Sequence, residues 1–417
     1  MQTIKLNKLQ PTILSIAIAC GVILVVTPSY PSTVPQTINL NGFTFRPIAH
    51  SRTPIPNGKG SFTKFEAPII SGGNVAFVGR GKEQEGIYLF TNNTLKRVVD
   101  RNTAIPGGRS RFRYVSATVP AINQQTIVFQ GKDGRPLADP NVESGLYIYR
   151  NGKLQRLVDR KTPIPGDGRF EDVGEPVIVG NSVAFVGSNV GVLGNAPRNT
   201  TTLFTGVYLH NGTSIRPIIN LRGSAKKSLP HMFSTNLFQG LRSSGTNILF
   251  VGMGETGKYY LYSNNRLQTL PMLLKLNANP GSLNLSGTNV IFESTYTITQ
   301  QPLLAYQIYI YNRGSVKKVV NTTQRLPGGS GTFQSFVNFS MSGANLVFNA
   351  SGTNDQYGTY AYWNGKLIKV LAKGDKINGK TVRSAALQNQ HSIDGKTIAL
   401  LVVFTDESQS IYTATRK

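Results

Sequence analysis

The chain has 417 residues, with 43 Gly, 22 Pro and only 15% charged residues, a turn-rich, well-packed composition that excludes an extended disordered polymer. Lys and Arg outnumber Asp and Glu by 44 to 19, a formal charge of +25, so the surface attracts anions. The one cysteine, Cys20, excludes a fold held by disulfides.

Residues 1–29 read as a secretory signal peptide. Lys5 and Lys8 precede an apolar run from Ile13 to Val26, and the small residues Thr27 and Ser29 follow it. Cleavage is expected between Thr27 and Pro35. Ala17-Ile18-Ala19-Cys20 loosely resembles a lipoprotein cleavage box, with Ala where Leu is usual, so a lipidated end and a retained anchor stay open beside the cleaved leader. Residues 30–42 read as a short linker, and 43–417 as one domain with no later run long enough to span a membrane.

That domain repeats one unit. Phe77, Phe129, Phe185, Phe250, Phe292, Phe348 and Phe404 each end an apolar, β-branched run, at spacings of 42 to 65 residues. Such periods belong to propellers and solenoids. Both faces of the run are apolar, which predicts a strand sandwiched between neighbouring sheets. A Gly-x-Tyr strand follows, as in Gly86-Ile87-Tyr88 and Gly145-Leu146-Tyr147, then a turn such as Asn151-Gly152 or Asn364-Gly365, the residues that tolerate the positive φ of a tight hairpin. An outer strand such as Leu95–Asp100 comes next. A linker such as Ile105-Pro106-Gly107-Gly108 then leads to an inner strand. Four strands per unit make a propeller blade.

The last unit lacks an outer strand, whereas Phe45-Arg46-Pro47-Ile48 near the start reads like Ile215-Arg216-Pro217-Ile218. The sequence therefore predicts an all-β, seven-bladed β-propeller of four-stranded antiparallel blades, closed by the N-terminal strand, with Phe43–Ala49 beside Ile411–Thr415.

Arg46, Arg97, Arg156, Arg216, Lys318 and Lys369 recur at the start of the outer strand. They predict a basic belt on the rim, read either as protection of exposed strand edges or as an anion-binding band. The long insertions, Gly131–Ser144, Gly187–Thr205 and Ser294–Tyr306, all fall between the second and third strands, on the same end as the linkers. Long loops on a rigid scaffold carry recognition, which makes Arg135, Arg198, Asn199 and Tyr296 the candidate binding residues.

Other motifs carry less. Gly252–Lys258 has phosphate-loop spacing, but Tyr259 follows where a Ser or Thr belongs, and a strand replaces the helix. Asp133, Asp139 and Glu143 lack the dense spacing of a calcium loop. His50, His210, His231 and His391 fall in different units without metal-ligand spacing and read as surface or turn residues. No nucleophile elbow occurs, and no catalytic residue, metal or cofactor is assigned.

Gly73–Phe77, Gly86–Phe90 and Ile105–Gly108 resemble the tandem NxxGxxAF-type repeats of secreted bacterial proteins, a largely uncharacterised propeller-like group, and the likeness extends from Phe43 to Thr415. The resemblance implies export and the fold. The expected function is a binding scaffold, secreted, periplasmic or at the cell surface, whose partner is an anionic polysaccharide or cell-envelope component, or a protein, and not nucleic acid; the chain is expected to be a monomer. The alternative is a glycan- or ester-processing enzyme with carboxylates gathered from several blades at the central channel.

Overall fold

In the computed structural model the described residues are 36–115, 119–166, 168–191, 202–224, 237–253, 257–297 and 304–417. The fold is an all-β β-propeller whose blades are built of four antiparallel strands. Among the described residues the strands fall into seven sheets, each in near-sequential order. The second sheet is typical: Ala121–Asn123 is innermost, then Thr126–Lys132, Ser144–Arg150 and Lys153–Asp159. The last sheet takes Lys380–Ala386, Thr397–Phe404 and Gln409–Arg416 from the C-terminal end, and beside them Phe43–His50 from the other end. Phe43 faces Arg416, and Ala49 faces Ile411. The expected linker 30–42 is corrected over residues 38–40 alone. Ile38–Leu40 is itself a strand on the outer edge of that sheet, facing Phe43–Phe45.

Among the described residues, six of the seven sheets are held by a repeated aromatic pair. The marker Phe of the second strand stacks on the Tyr of the third, as Phe77 on Tyr88 at 6.0 Å, Phe129 on Tyr147 at 5.7 Å and Phe185 on Tyr208 at 5.8 Å. In some sheets a third ring meets that Tyr edge-on, supplied by the linker before the sheet for Phe62 on Tyr88 and Phe112 on Tyr147 at 4.7 Å, and by the first residue of the inner strand for Phe333 on Tyr360 at 5.2 Å. Edge-on pairs suit the ring quadrupoles and add about 0.5–1.5 kcal/mol beyond the area they bury. The linker ring sets the glycine two residues after the marker. A Cβ on Gly131 would lie 2.7 Å from the Phe112 ring.

The Gly of the Gly-x-Tyr strand has a different cause. The outer strand carries a β-bulge opposite this point, with register breaks at Ile87/Tyr88, Leu146/Tyr147 and Thr359/Tyr360. The bulge presses a carbonyl inward, so a Cβ on Gly145 would meet the Val158 oxygen at 2.3 Å.

The inner strands are joined sheet to sheet by the tight turns that follow them. Gln124 N–H donates to Ser71 Oγ at 3.0 Å, Gly287 N–H to Ser244 Oγ at 2.7 Å, Gly343 N–H to Ser286 Oγ at 3.0 Å and Gly395 N–H to Ser342 Oγ at 2.9 Å. Gly72 N–H donates to Asp394 Oδ2 at 2.5 Å, linking the first sheet to the last. In the third sheet Val179 stands at this position and cannot accept; there Gly180 N–H donates to the Gly245 carbonyl at 2.9 Å. Between the fourth and fifth sheets the Pro-Gly linker gives way to a short helix, Pro271–Lys275, with Pro in its first turn and Leu273 buried. No helix among the described residues is long and apolar enough to cross a membrane.

Candidate binding site

The loop between the second and third strands of the second sheet folds on its own hydrogen bonds. Asp133, 2% exposed, accepts from Arg135 N–H at 3.0 Å and Glu143 N–H at 3.3 Å. Its carboxylate also pairs with Arg135 Nε at 3.3 Å. Glu143 reaches the preceding linker and accepts from Arg109 N–H at 2.8 Å and Ser110 N–H at 3.0 Å. Burial pushes the Glu143 carboxyl up, but these backbone donors outweigh it and hold it below the usual range, so it is ionised at neutral pH. Arg160 donates to the carbonyls of Leu137 and Asp139 and pairs with Glu171, tying the loop to the third sheet.

These ties frame a cavity of about 610 Å³. Five cations line it, Arg109, Arg135, Arg156, Arg160 and Lys161, against three carboxylates, Glu143, Asp159 and Glu171. Every carboxylate already has partners: Glu143 the linker amides, Asp159 Arg156 and the Lys161 N–H, Glu171 Arg160. The side chains of Arg109 and Lys161 are exposed and meet no partner among the described residues. Two charges of the cavity lining are therefore unpaired among the described residues.

Arg135, expected from the sequence, thus lines a cavity beside the linker. Its guanidinium is spent on Asp133, the Asn141 carbonyl and Ser110 Oγ, so it shapes the wall more than it offers charge. Tyr296 is a correction. It lies in the strand Asn289–Thr297 of the fifth sheet, opposite Ala305, not in a loop, because the β-branched and aromatic run Thr295-Tyr296-Thr297 extends the ladder. It does not line this cavity. Arg198 and Asn199 lie outside the described residues, as do His231 and the centre of the Gly252–Lys258 motif. Arg109 and Lys161 were missed by sequence reasoning, since each sits in a linker with no repeat to mark it.

The basic belt is corrected as well. Arg97 bonds the fully buried Asp100 at 2.9 Å and the Asn57 carbonyl at 2.9 Å. Arg156 pairs with Asp159, and Lys369 with Asp375 at 2.8 Å. Arg216 donates to the Tyr262 hydroxyl, and Arg46 to Asn93 Oδ1 at 2.9 Å while its guanidinium covers the Phe90 ring. Lys318 is exposed and meets no partner among the described residues. Five of the six belt cations thus bond to neighbours, Arg97, Arg156 and Lys369 to carboxylates, although Arg156 Nε and Nη2 are buried without a partner among the described residues.

Two smaller cavities lie along the inner strands. One, about 260 Å³, is lined by the ends of the inner strands of all seven sheets, among them Ser71, Asn123, Ser244, Ser286, Ser342 and Asp394. The other, about 290 Å³, is lined by Glu175, Arg242 and residues 388–390. The segment Gln388–Ser392 runs from one to the other and is pinned across the middle. Asn284 Nδ2 donates to the Asn389 carbonyl at 2.6 Å, and Asn389 Nδ2 to that of Gly281 at 2.8 Å. Gln388 Nε2 donates to that of Ala67 at 3.0 Å. His391, expected as a surface or turn residue, lines the first cavity with a φ of 53°. Burial and the nearby Arg242 push its imidazole down to about 4.

Residues 30–234 match a family of unknown function (DUF7453). No curated protein matches the chain. Among solved structures, one from a structural and mechanistic analysis of two prolyl endopeptidases superposes with a TM-score of 0.50 at 12% identity, over 88% of this chain and 47% of that one. The acylaminoacyl peptidase of Pyrococcus horikoshii gives 0.45 at 14%, over 81% and 50%. The WD40 domain of Toxoplasma gondii coronin gives 0.41 at 8%, over 92% and 89%. The chain spans about half the length of both peptidases, and likeness at such identities concerns the fold alone.

Proposed function

We propose that the chain is an exported binding scaffold that holds an anionic polymer, such as an acidic polysaccharide of the cell envelope, in the cavity between the Gly131–Ser144 loop and its flanking linkers. One observation carries this reading: among the described residues, Arg109 and Lys161 stand unpaired at a cavity whose carboxylates are all engaged. Charges placed so attract a polyanion at long range and lose that attraction as salt rises.

The scaffold itself is proposed to be one ring of seven blades closed by the Phe43–His50 strand. The shared lining of the 260 Å³ cavity and the bond from Gly72 to Asp394 support this. Export is proposed from the leader alone, with a mature N-terminus between Thr27 and Pro35, which mass spectrometry of the exported protein checks. The enzymatic alternative calls for carboxylates drawn together in the channel. Among the described residues, Asp394 and Glu175 line different cavities, so the scaffold is preferred.

The test is binding of polygalacturonate against neutral dextran over a salt series. The expected result is binding of the polyanion alone, weakening as salt rises, and reduced about tenfold in an Arg109→Ala, Lys161→Ala double variant, roughly 1.4 kcal/mol. Equal binding of dextran, or a double variant that binds like the parent, overturns the reading.

A further inference from the structure

The 290 Å³ cavity is built by two irregular strands. The inner strand of the third sheet breaks register between Gly174 and Val177, and that of the fourth between Gln239 and Arg242. Within the breaks Glu175 has a φ of 47° and Gly240 one of 65°. Holding a glutamate in the left-handed region costs on the order of 1 kcal/mol or more, and bulges of this kind re-aim side chains. The side chains that result, Glu175 and Arg242, line one cavity with Gln390.

Their hydrogen bonding is incomplete. Glu175 Oε2 accepts from Leu241 N–H at 3.0 Å. Arg242 gives Nε to the Leu283 carbonyl at 3.0 Å and Nη1 to that of Leu241 at 2.9 Å. It makes no ion pair among the described residues, although the charge of Glu175 acts on it through space. The amide oxygen of Gln390 is buried with no hydrogen-bond partner. Turning that amide into the cavity costs no hydrogen bond and offers it one. An unsatisfied buried polar group costs about 1–3 kcal/mol, which a ligand with matching groups would recover.

The signs of these groups select the ligand. An anion drawn to Arg242 would also face Glu175, and a cation drawn to Glu175 would face Arg242. A hydroxyl can accept from one and donate to the other. The volume sits at the lower end of small-molecule sites, roughly 300 Å³. We propose that this cavity binds a neutral polyhydroxylated molecule the size of a single sugar ring, with hydroxyls accepting from Arg242 and donating to Glu175 and Gln390. This site is separate from the basic cavity and does not depend on how that cavity is read.

Calorimetric titration of the full domain with glucose, galactose and mannose, and with acetate and glucuronate as anionic controls, tests it. At least one neutral sugar should bind saturably with a Kd of about 1 mM or tighter, unchanged by about 0.5 M salt. Arg242→Met should weaken that binding at least tenfold, but it can also disturb the inner strands. Gln390→Leu removes no existing hydrogen bond and an unsatisfied oxygen, so it should melt no lower than the parent and still lose at least tenfold in affinity. Absence of saturable binding by every neutral sugar overturns the proposal. So does preference for glucuronate or acetate, or a folded Gln390→Leu variant that binds like the parent.

Discussion

Asp100 is fully buried and takes hydrogen bonds from Arg97, Gln84, Thr103 and the Asn102 N–H. A carboxylate can be buried this way only if its acceptors are filled. The repeated basic residue of the outer strand is therefore a structural partner. Arg97→Ala should lower stability by about 2–3 kcal/mol in chemical denaturation, the loss expected for a hydrogen bond to a buried charge. Lys318→Ala, at the equivalent but exposed position, should change it by less than about 0.5 kcal/mol. His391 sets a pH dependence of known sign. Its imidazole titrates near 4 in the folded chain against 6.5 in the unfolded one, so the unfolded state binds the proton first as pH falls. Stability should drop between about pH 6.5 and 4, by on the order of 2 kcal/mol after discounting for partial exposure, and level off below. Burial also lowers the His210 imidazole, so denaturation curves at the two ends of that window should show a larger drop in the parent than in His391→Gln.

At the scale of the element, the strand Phe43–His50 has ladder partners, among the described residues, only on Gln409–Arg416 and on the short strand Ile38–Leu40. Deleting the chain through Ile55 strips the outer edge from the last sheet and uncovers Tyr412, now 1% exposed. The truncated domain should melt at least 10 °C lower, roughly the effect of several kcal/mol, and aggregate through the bared edge. The identity of that edge was legible in the sequence because the strand repeats a motif found elsewhere, in Ile215–Ile218. The marker Phe strands, the Gly-x-Tyr strands and the Asn-Gly turns were legible for the same reason, each being a local pattern. The third ring of the aromatic set was not, since Phe62 and Phe112 lie in linkers among polar residues and their partners are set by packing. Nor was the channel segment. Asn389 meets residues 281, 284 and 339, far off in sequence, and nothing in Gln388–His391 announces a buried role. The basic cavity was half legible: loop length pointed to Arg135, while the free charges of Arg109 and Lys161 emerge only once the partners of every nearby carboxylate are known.

Across the whole molecule, the turns that join the inner strands follow one direction nearly everywhere, with the turn amide of a sheet donating to the side chain that ends the inner strand of the sheet before it. The third sheet interrupts this, because Val179 brings no acceptor. The other join, in the last sheet, is of another kind. Since Phe43 lies opposite Arg416, the chain enters one strand and leaves its partner at the same corner. A force that swells the domain would have to shear many rungs of this ladder together. A pull between residues 36 and 417 meets them one at a time, as a zip does, beginning with Ile38–Leu40. The join is therefore mechanically lopsided: firm against pressure from within, and released by a small tug at one corner.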